Sequence, residues 1–280
     1  MAITNFIPTV WSESLYQELD KKYIAVANCN RDFEGEIHEK GNTVRICGVG
    51  NVVVSAYTKN ANMNVPASLS DNARELTIDQ AKYFNFQIDD IDRAQSSPKL
   101  MEAAMKNAAS ALANDADRYI FGLYAEAGDT IKCEDTKIDN IVDLIIDART
   151  KLFTNNVADP QDIVIEVTPE IAGMILKAKV NLSTDNTDVM ETGCIGAIGG
   201  CKIFVSNNVE IVEGDNGYKH KCLARTKRAI AFAEQLSEID AYRPELRFAD
   251  AVKGLHLYGA KVVYPKEMVL LDLNVVGATA

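Results

Sequence analysis

Residues 97–123 read SPKLMEAAMKNAASALANDADRYIFGL and carry the clearest periodic pattern in the chain. Ser97 is a good N-cap, Pro98 suits the first helical position, and Gly128 supplies a stop. Apolar residues recur in this stretch at intervals of three or four, namely Met101, Met105, Ala108, Leu112, Ala116, Tyr119 and Leu123. This spacing predicts a single helix over residues 98–126, roughly 43 Å long, with one buried face. A helix of this length is typical of the central helix around which a domain is built.

Strand patterns precede this helix. Residues 43–46 and 52–57 form two short alternating runs, and residues 75–78 and 83–88 form two more. Residues 59–72 between them are rich in Asn, Ser and Pro, which is typical of a long exposed loop. Strands on either side of a long exposed loop predict an extended, hairpin-like projection. Because such a hairpin is only marginally stable in water, we expect it to pack against a partner surface.

The N-terminal segment, residues 1–34, contains a short amphipathic pattern. Trp11, Leu15, Leu19 and Tyr23 recur every four residues, which predicts one short helix. Such a helix is either an arm that docks on a neighbour or an element that packs on its own domain. Trp11 and Leu15 are therefore candidate contacts between subunits.

Helices and strands follow without regular alternation, which indicates an α+β fold. The predicted helices are residues 139–153 and Pro169 to about Lys179, the latter capped by Thr168. The predicted strands are residues 162–167, 202–205, 229–233, 255–263 and 269–273.

Composition narrows the functional classes. The 280 residues suggest about two domains, and 47% hydrophobic with 25% charged residues is an ordinary globular mixture. The formal charge of −11 argues against a basic nucleic-acid binder, because phosphate binding uses clustered Lys and Arg. No basic segment precedes an apolar stretch at the N-terminus, and no apolar run reaches about 20 residues. We therefore expect a protein of the cytoplasm without a membrane partner.

No constellation of residues predicts an active site. The six cysteines are scattered and the three histidines isolated, so free thiols that behave as small hydrophobic residues are expected, without a metal site. Residues 193–200, GCIGAIGG, resemble a phosphate loop only in composition, because they precede a strand where a phosphate loop opens a helix. A tight turn that leads into a strand is the better interpretation. The sequence thus predicts a protein that is not an enzyme and holds no cofactor.

Residues 238–253 combine charges of both signs with aromatic side chains. The residues in question are Tyr242, Arg243, Glu245, Arg247, Phe248, Asp250 and Lys253. Arg and aromatic residues are enriched in protein interfaces. A salt-bridged surface of little energetic value fits the composition equally well. We treat Tyr242, Arg243, Glu245, Arg247, Asp250 and Lys253 as candidate inter-subunit contacts.

Several segments, in order and spacing, resemble the major capsid proteins of tailed bacteriophages, which have the Hong Kong 97-type fold. They are GNTVRI at 41–46, LTIDQAKYFNFQIDDID at 76–92, the glycine turn at 193–200 with Ser206-Asn207-Asn208, AIAFAEQ at 229–235, YRPE at 242–245, RFAD at 247–250 and GLHLYGAKVV at 254–263. The last four are the strongest. The resemblance extends from about Trp11 to about Pro265.

The resemblance implies four structural parts. They are an N-terminal arm at 1–34, an extended β-hairpin loop with adjoining strands at 35–92, a peripheral domain with a long spine helix at 93–135 and 226–264, and an axial domain at 136–225 and 265–280. Lys59 and Asn62 lie in the extended loop and are further candidate contacts. Some family members cross-link a loop Lys to an Asn of a neighbour, and no Asn here matches that partner.

The function implied is self-assembly. Subunits would form pentamers and hexamers of an icosahedral head that encloses double-stranded DNA without reading its sequence, built in the bacterial cytoplasm and located in the virion. A separate scaffolding protein is expected because the chain starts almost directly with the arm, and the portal and a decoration protein would be further partners. The alternatives are an encapsulin-type nanocompartment, an α+β enzyme that uses the glycine turn, and a monomeric binding module.

Overall fold

The computed structural model describes residues 15, 18–19, 22–32, 43–49, 59, 71–89, 100–157, 162–178, 194–214 and 217–276. Within them lie three α-helices, namely α1 (Leu100–Gly122), α2 (Ile141–Thr154) and α3 (Pro169–Lys177). The strands are β1 (Thr43–Val49), β2 (Asp71–Thr77), β3 (Gln80–Asp89), β4 (Asp129–Cys133), β5 (Ile163–Val167), β6 (Cys194–Ile198), β7 (Cys201–Val205), β8 (Ile211–Gly214), β9 (Gly217–Thr226), β10 (Ile230–Tyr242), β11 (Ala249–Val262) and β12 (Met268–Val275). This mixture confirms the predicted combination of helices and strands.

The largest sheet has seven strands in the order β4-β12-β9-β5-β7-β6, with β8 paired to β9. Strand β12 runs parallel to β4 and antiparallel to β9, and all residues of β5 and β12 are buried. Strands that are buried on both faces usually have almost entirely apolar sequences. The β5 sequence IVIEV fits this pattern except at Glu166. Strand β4 extends this sheet, although the sequence placed residues 129–133 with the peripheral domain.

Helix α3 begins where the sequence predicted it. The Thr168 side chain accepts a hydrogen bond from the backbone N–H of Ile171, and Pro169 occupies the first turn. Both features satisfy or remove backbone donors that a helix start leaves unpaired. Helices α2 and α3 contact each other and add their apolar faces to the main core.

A second sheet has three long antiparallel strands in the order β10-β11-β3. One of its faces packs on α1, where the Tyr258 hydroxyl donates to Asp115 at 2.6 Å and the rings of Tyr119 and Tyr258 meet edge to face. The α-helical part of the predicted 98–126 segment ends at Gly122 and tightens into a 3-10 turn over Leu123–Glu126. The long helix is thus confirmed from Leu100 onward, with a change of helix type in its last turn, whereas the predicted cap Ser97 and Pro98 lie outside the described residues.

Strands β1 and β2 form an antiparallel hairpin that lies against the second sheet. A small separate core joins them, made of Ile46, Leu76, Ile78, Ala231, Ala233 and Leu257. Strand β11 passes so close to Thr77 that a Cβ atom built on Gly259 would lie 2.3 Å from the Thr77 carbonyl oxygen. Gly259 is therefore the residue that permits this crossing.

The five cysteines whose side chains the structure describes, Cys29, Cys133, Cys194, Cys201 and Cys222, are free thiols, and four of them are buried. This agrees with the expectation that they pack as small hydrophobic residues. Across the described residues, no helix is both long enough and apolar enough to cross a membrane.

Candidate functional site

The face of the second sheet that points away from α1 carries unusual exposed side chains. Leu255 of β11 is paired with Tyr83 of β3, and Lys253 with Asn85, so these four side chains share one face. The Tyr83 side chain is 78% exposed. We call this surface, Tyr83, Asn85, Tyr242, Lys253 and Leu255, the open face.

Polar contacts hold Tyr242 in place on the open face. The Tyr242 hydroxyl exchanges hydrogen bonds with the Asn85 amide at 3.1 and 3.2 Å, and the Lys253 Nζ lies 5.6 Å from the centre of the Tyr242 ring. Lys253 also lies 3.3 Å from the Asp240 carboxylate. The sequence-predicted residues Tyr242 and Lys253 are thus brought together on one surface.

The loop between β10 and β11, residues 243–248, forms the end of this sheet, and we call it the tip loop. Leu246 is 97% exposed and Phe248 is 84% exposed. Glu245 and Arg247 are exposed beside them, and Arg243 Nε lies 3.5 Å from Asp250 Oδ1. Exposed apolar side chains surrounded by charges of both signs are the composition of a protein contact surface.

The other candidate contacts lie elsewhere. Leu15 is 1% exposed and belongs to the main core, which agrees with the interpretation of a helix that packs on its own domain. Its burial leaves no accessible side chain for a neighbour. Lys59 is exposed, whereas Trp11 and Asn62 lie outside the described residues.

A second unusual feature is a cluster of charged side chains inside the subunit. Arg225 of β9 and Glu166 of β5 are both fully buried and form a two-bond ion pair at 2.8 and 2.9 Å. Two further N–H donors of the Arg225 guanidinium bind the carbonyl oxygens of Asn28 at 2.6 Å and Ala25 at 3.0 Å. The large sheet is thereby attached to residues 22–31, which we call the joint segment.

Asp117 of α1 binds the same segment from another side. Its carboxylate accepts hydrogen bonds from the backbone N–H groups of Ile24, Ala25 and Val26, each at 3.0 Å. These donors lie at the start of the 3-10 turn Val26–Asn28, where a short helix leaves its N–H groups unpaired. Burial raises the pKa of Asp117 to about 7.

Glu234 of β10 holds the two ends of the joint segment. Its carboxylate accepts hydrogen bonds from the Tyr23 hydroxyl and from Arg31, the latter at 2.6 Å, and His256 Nε2 lies 2.9 Å away. Burial, with Glu234 adding to it, raises the pKa of Tyr23, so the phenol stays protonated. Backbone bonds from Asn30 N to Ile230 O and from Phe232 N to Asn30 O complete the attachment.

Sequence reasoning missed this cluster entirely. Its partners are separated by 59 residues for Arg225 and Glu166, by 91 to 93 for Asp117 and the backbone, and by 203 for Arg31 and Glu234. No local motif joins residues so far apart. The local signal that the sequence did offer was Glu166, a single charge in the otherwise apolar segment IVIEV.

One further arrangement resembles a catalytic triad. His220 Nδ1 lies 2.9 Å from the Thr168 hydroxyl, and Nε2 lies 3.3 Å from Glu170. Burial lowers the pKa of His220, which favours the neutral ring. Because Thr168 is 1% exposed and its oxygen caps α3, no substrate reaches this hydroxyl.

The glycine turn is also structural. Gly199 and Gly200 have φ angles of 59° and 87°, and they join β6 to β7 as a two-residue hairpin turn. No helix follows this turn, since β7 begins at Cys201. The turn therefore lacks the strand-to-helix context that a phosphate loop requires.

Comparison with known proteins identifies relatives by structure. No protein-family model matches the sequence, and no curated protein is significantly similar to it. A solved structure from Mycobacterium phage Che8 is 31% identical, with a TM-score of 0.68 over 88% of this chain and 90% of that chain. The capsid of Ralstonia phage GP4 is 11% identical, with a TM-score of 0.69 over 94% and 92% of the two chains.

A virus-like particle from Pyrococcus furiosus is also similar, at 12% identity and a TM-score of 0.59, over 96% of this chain and all of that chain. This likeness shows a shared fold and gives no reason to prefer a nanocompartment, since the phage likeness is higher in both identity and TM-score. Likeness to capsids indicates a structural rather than an enzymatic protein. The chain therefore belongs to the major capsid proteins of tailed bacteriophages, as the resemblance in its sequence indicates.

Proposed function

We propose that the chain assembles into pentamers and hexamers that close into an icosahedral head around phage double-stranded DNA. The observation that carries this proposal is the 31% identity to a phage structure over 88% of this chain and 90% of the other. Rings of five and six require heterologous contacts, in which one surface of a subunit meets a different surface of the next.

Four parts of the chain have separate roles in this proposal. Residues 1–34 are the arm, 35–92 the extended loop, 93–135 with 226–264 the peripheral domain, and 136–225 with 265–280 the axial domain. What supports this division is the presence of two principal sheets, one packed on α1 and one carrying α2 and α3. Strand β4 pairs with β12 and would join the axial part.

The tip loop is the proposed contact that assembly buries. Burying an exposed Leu or Phe contributes about 1.5–3 kcal/mol per side chain before the entropy of association is subtracted. Arg243, Glu245 and Arg247 would fix the orientation of the neighbour, because charged groups contribute to specificity more than to affinity. Tyr242, Asp250 and Lys253 would support the loop from the sheet below.

The contents and the partners of the shell are further parts of the proposal. A formal charge of −11 suits a wall that encloses DNA without binding its sequence. A scaffolding protein, the portal and a decoration protein would be the partners, with assembly in the bacterial cytoplasm. The presence of DNA inside particles from an infected or induced lysate would separate a phage head from a nanocompartment.

Electron microscopy of the purified protein, alone and from its native lysate, tests the proposal. Closed shells, or rings of five and six, are the expected result. Compact monomers under all conditions, including in the lysate, would overturn it.

A double variant in the tip loop, Leu246→Ser with Phe248→Ser, tests the contact surface. Because both side chains are exposed in the single subunit, we expect its unfolding free energy to change by less than about 0.5 kcal/mol while shells and rings are lost. The matched control is Ile211→Ser in β8, which removes an apolar side chain that is 47% exposed, away from the tip loop. Normal shells from the double variant would exclude the tip loop as a contact.

A further inference from the structure

Helix α2 carries a second row of side chains beside the row that it buries. The buried row, which faces the core, consists of Ile141, Ile145, Ala148 and Leu152. The residue after each of these forms a parallel row, which consists of Val142, Ile146, Arg149 and Phe153. Val142 and Phe153 pack partly on the core, whereas Ile146 is 43% exposed. We call Ile146, Arg149 and Phe153 the outer stripe, and its apolar part extends beyond what the subunit itself covers.

The Arg149 side chain is held in place by two neighbours. Its guanidinium carbon, Cζ, lies 4.5 Å from the centre of the Phe153 ring. A Cβ atom built on Gly199, in the hairpin turn between β6 and β7, would lie 3.2 Å from Arg149 Cδ and 3.5 Å from Nε. The missing side chain at Gly199 therefore allows Arg149 to lie against the turn. A side chain that is already ordered loses less entropy when it binds a partner.

The positive charge of Arg149 has no carboxylate partner among the described residues, and its buried Nε has no hydrogen-bond acceptor there. Residues 145–146 and 152–153, one helical turn away on either side, are apolar, so α2 itself supplies no acid. The Cys201 thiol beside Arg149 is neutral, because burial raises its pKa. Other arginines of the chain do form ion pairs with glutamates, namely Arg31, Arg225 and Arg228.

We propose that the outer stripe is a contact surface for a second copy of this chain, in which Ile146 becomes buried and the Arg149 guanidinium pairs with a carboxylate of the neighbour. The planar fork of a guanidinium matches the two oxygens of a carboxylate. A second copy offers such groups in excess, since the chain has 40 acidic and 29 basic residues. This inference rests on the proposed assembly and adds to it a surface separate from the tip loop.

A DNA backbone fits the outer stripe less well than a protein does. Phosphate binding uses clustered Lys and Arg, whereas α2 exposes Asp143 and Asp147 on the same helix as Arg149. The exposed Ile146 gains free energy when it is buried against apolar atoms, which a phosphate does not provide. An arginine beside apolar and aromatic side chains is instead typical of the residues that dominate protein interfaces.

The subunit concentration at which assembly is half complete tests the proposal, measured by light scattering on the purified full-length chain with electron microscopy of the products. In Arg149→Gln the neighbour's carboxylate loses its cation, and we expect this concentration to rise about tenfold or more. Ile146→Ser is expected to raise it by a smaller factor. The matched control is Lys151→Gln, which should leave it unchanged, because Lys151 faces another side of α2 and lies 3.6 Å from Asp129 of its own subunit.

Three results would overturn the proposal while the proposed shell stands. They are unchanged assembly of both Arg149→Gln and Ile146→Ser, an equal effect of Lys151→Gln, and a defect limited to the native lysate or to the enclosed DNA, which would assign the surface to a different partner. If Arg149→Gln does not fold, Ile146→Ser decides, because Ile146 is exposed in the single subunit. Failure of the unmodified chain to form shells or rings would instead overturn the proposed function, and this inference with it.

Discussion

The ion pair between Arg225 and Glu166 is the most demanding interaction in the subunit. Both side chains are fully buried, so the cost of removing two charges from water is offset only by their two-bond geometry and by the two carbonyl oxygens that Arg225 also binds. A pair of this kind adds little net stability compared with an apolar pair. Its specific geometry instead fixes the position of residues 25–28 against the large sheet.

Removal of one partner is expected to be costly. Arg225→Met leaves the Glu166 carboxylate buried without a cation, and we expect a loss of about 3–5 kcal/mol in the free energy of unfolding, measured by urea denaturation of the unassembled subunit. The double variant Arg225→Met with Glu166→Leu is the control. It should recover part of the loss, with the remainder due to the Asn28 carbonyl oxygen, which loses its Arg225 donor, whereas the Ala25 carbonyl oxygen still accepts from the backbone N–H of Asn28. A single variant as stable as the unmodified chain would contradict the importance of the pair.

This residue-scale network explains one failure of sequence-based prediction. Strand β9 was not predicted because Lys219, Lys221 and Arg225 interrupt its apolar pattern, although the strand lies inside the large sheet. Lys221 reaches Asp272 at 2.7 Å, and Arg225 reaches Glu166. The charges of Lys221 and Arg225 are compensated by strands that lie far away in sequence, so the local sequence pattern does not show that these two residues are buried.

At the scale of elements, helices were more predictable than strands. The helical period is visible in the local sequence of α1 as apolar residues spaced three or four apart. Of the predicted stripe, Met105, Leu112 and Ala116 are buried. The buried arc is wider than the stripe, since Ala109 and Ile120 are buried as well. Strands β4, β6 and β8 were missed because short strands depend on partners that the sequence does not name.

The crossing of β2 over β11 provides a prediction at the same scale. In Gly259→Ala the new Cβ would lie 2.3 Å from the Thr77 carbonyl oxygen, and both contacting groups are backbone, so the hairpin of β1 and β2 must move. We expect a loss of about 1–3 kcal/mol in the free energy of unfolding, as for other overpacked sites. Hydrogen exchange should locate the loosened region at β2.

Gly173→Ala in α3 is the matched control for this substitution. No atom lies within 4 Å of a Cβ built on Gly173, and the residue is inside a helix. Alanine should therefore stabilise the subunit by about 0.5–1 kcal/mol. Equal effects of the two substitutions would show that the close approach of Thr77 to Gly259 is not a structural constraint.

At the scale of the whole molecule, the family could be predicted from the sequence, whereas the candidate subunit contacts stay predictions. The order of several weak motifs extends over most of the chain, which is why the resemblance was informative although no single motif was decisive. The exposure of individual side chains could not be predicted in the same way, because Leu15 is buried in its own core while Leu246, which the sequence did not single out, is almost fully exposed. Whether a side chain is exposed depends on the path of the whole chain. Apolar residues on the surface of a subunit cannot be told from those in its core by sequence alone.

The net charge of the subunit leads to a final prediction about assembly. With a formal charge of −11, neighbouring subunits repel one another, and this repulsion extends about 30 Å at 0.01 M salt but only about 8 Å at 0.15 M. The apolar contact proposed for Leu246 and Phe248 is not weakened by screening. We therefore expect light scattering at fixed protein concentration to show faster and more complete assembly as sodium chloride is raised from 0.01 to 0.15 M. Assembly that decreases over this range would instead mean that contacts between opposite charges, such as those of Arg243 and Arg247 with a neighbour's carboxylates, dominate the interface.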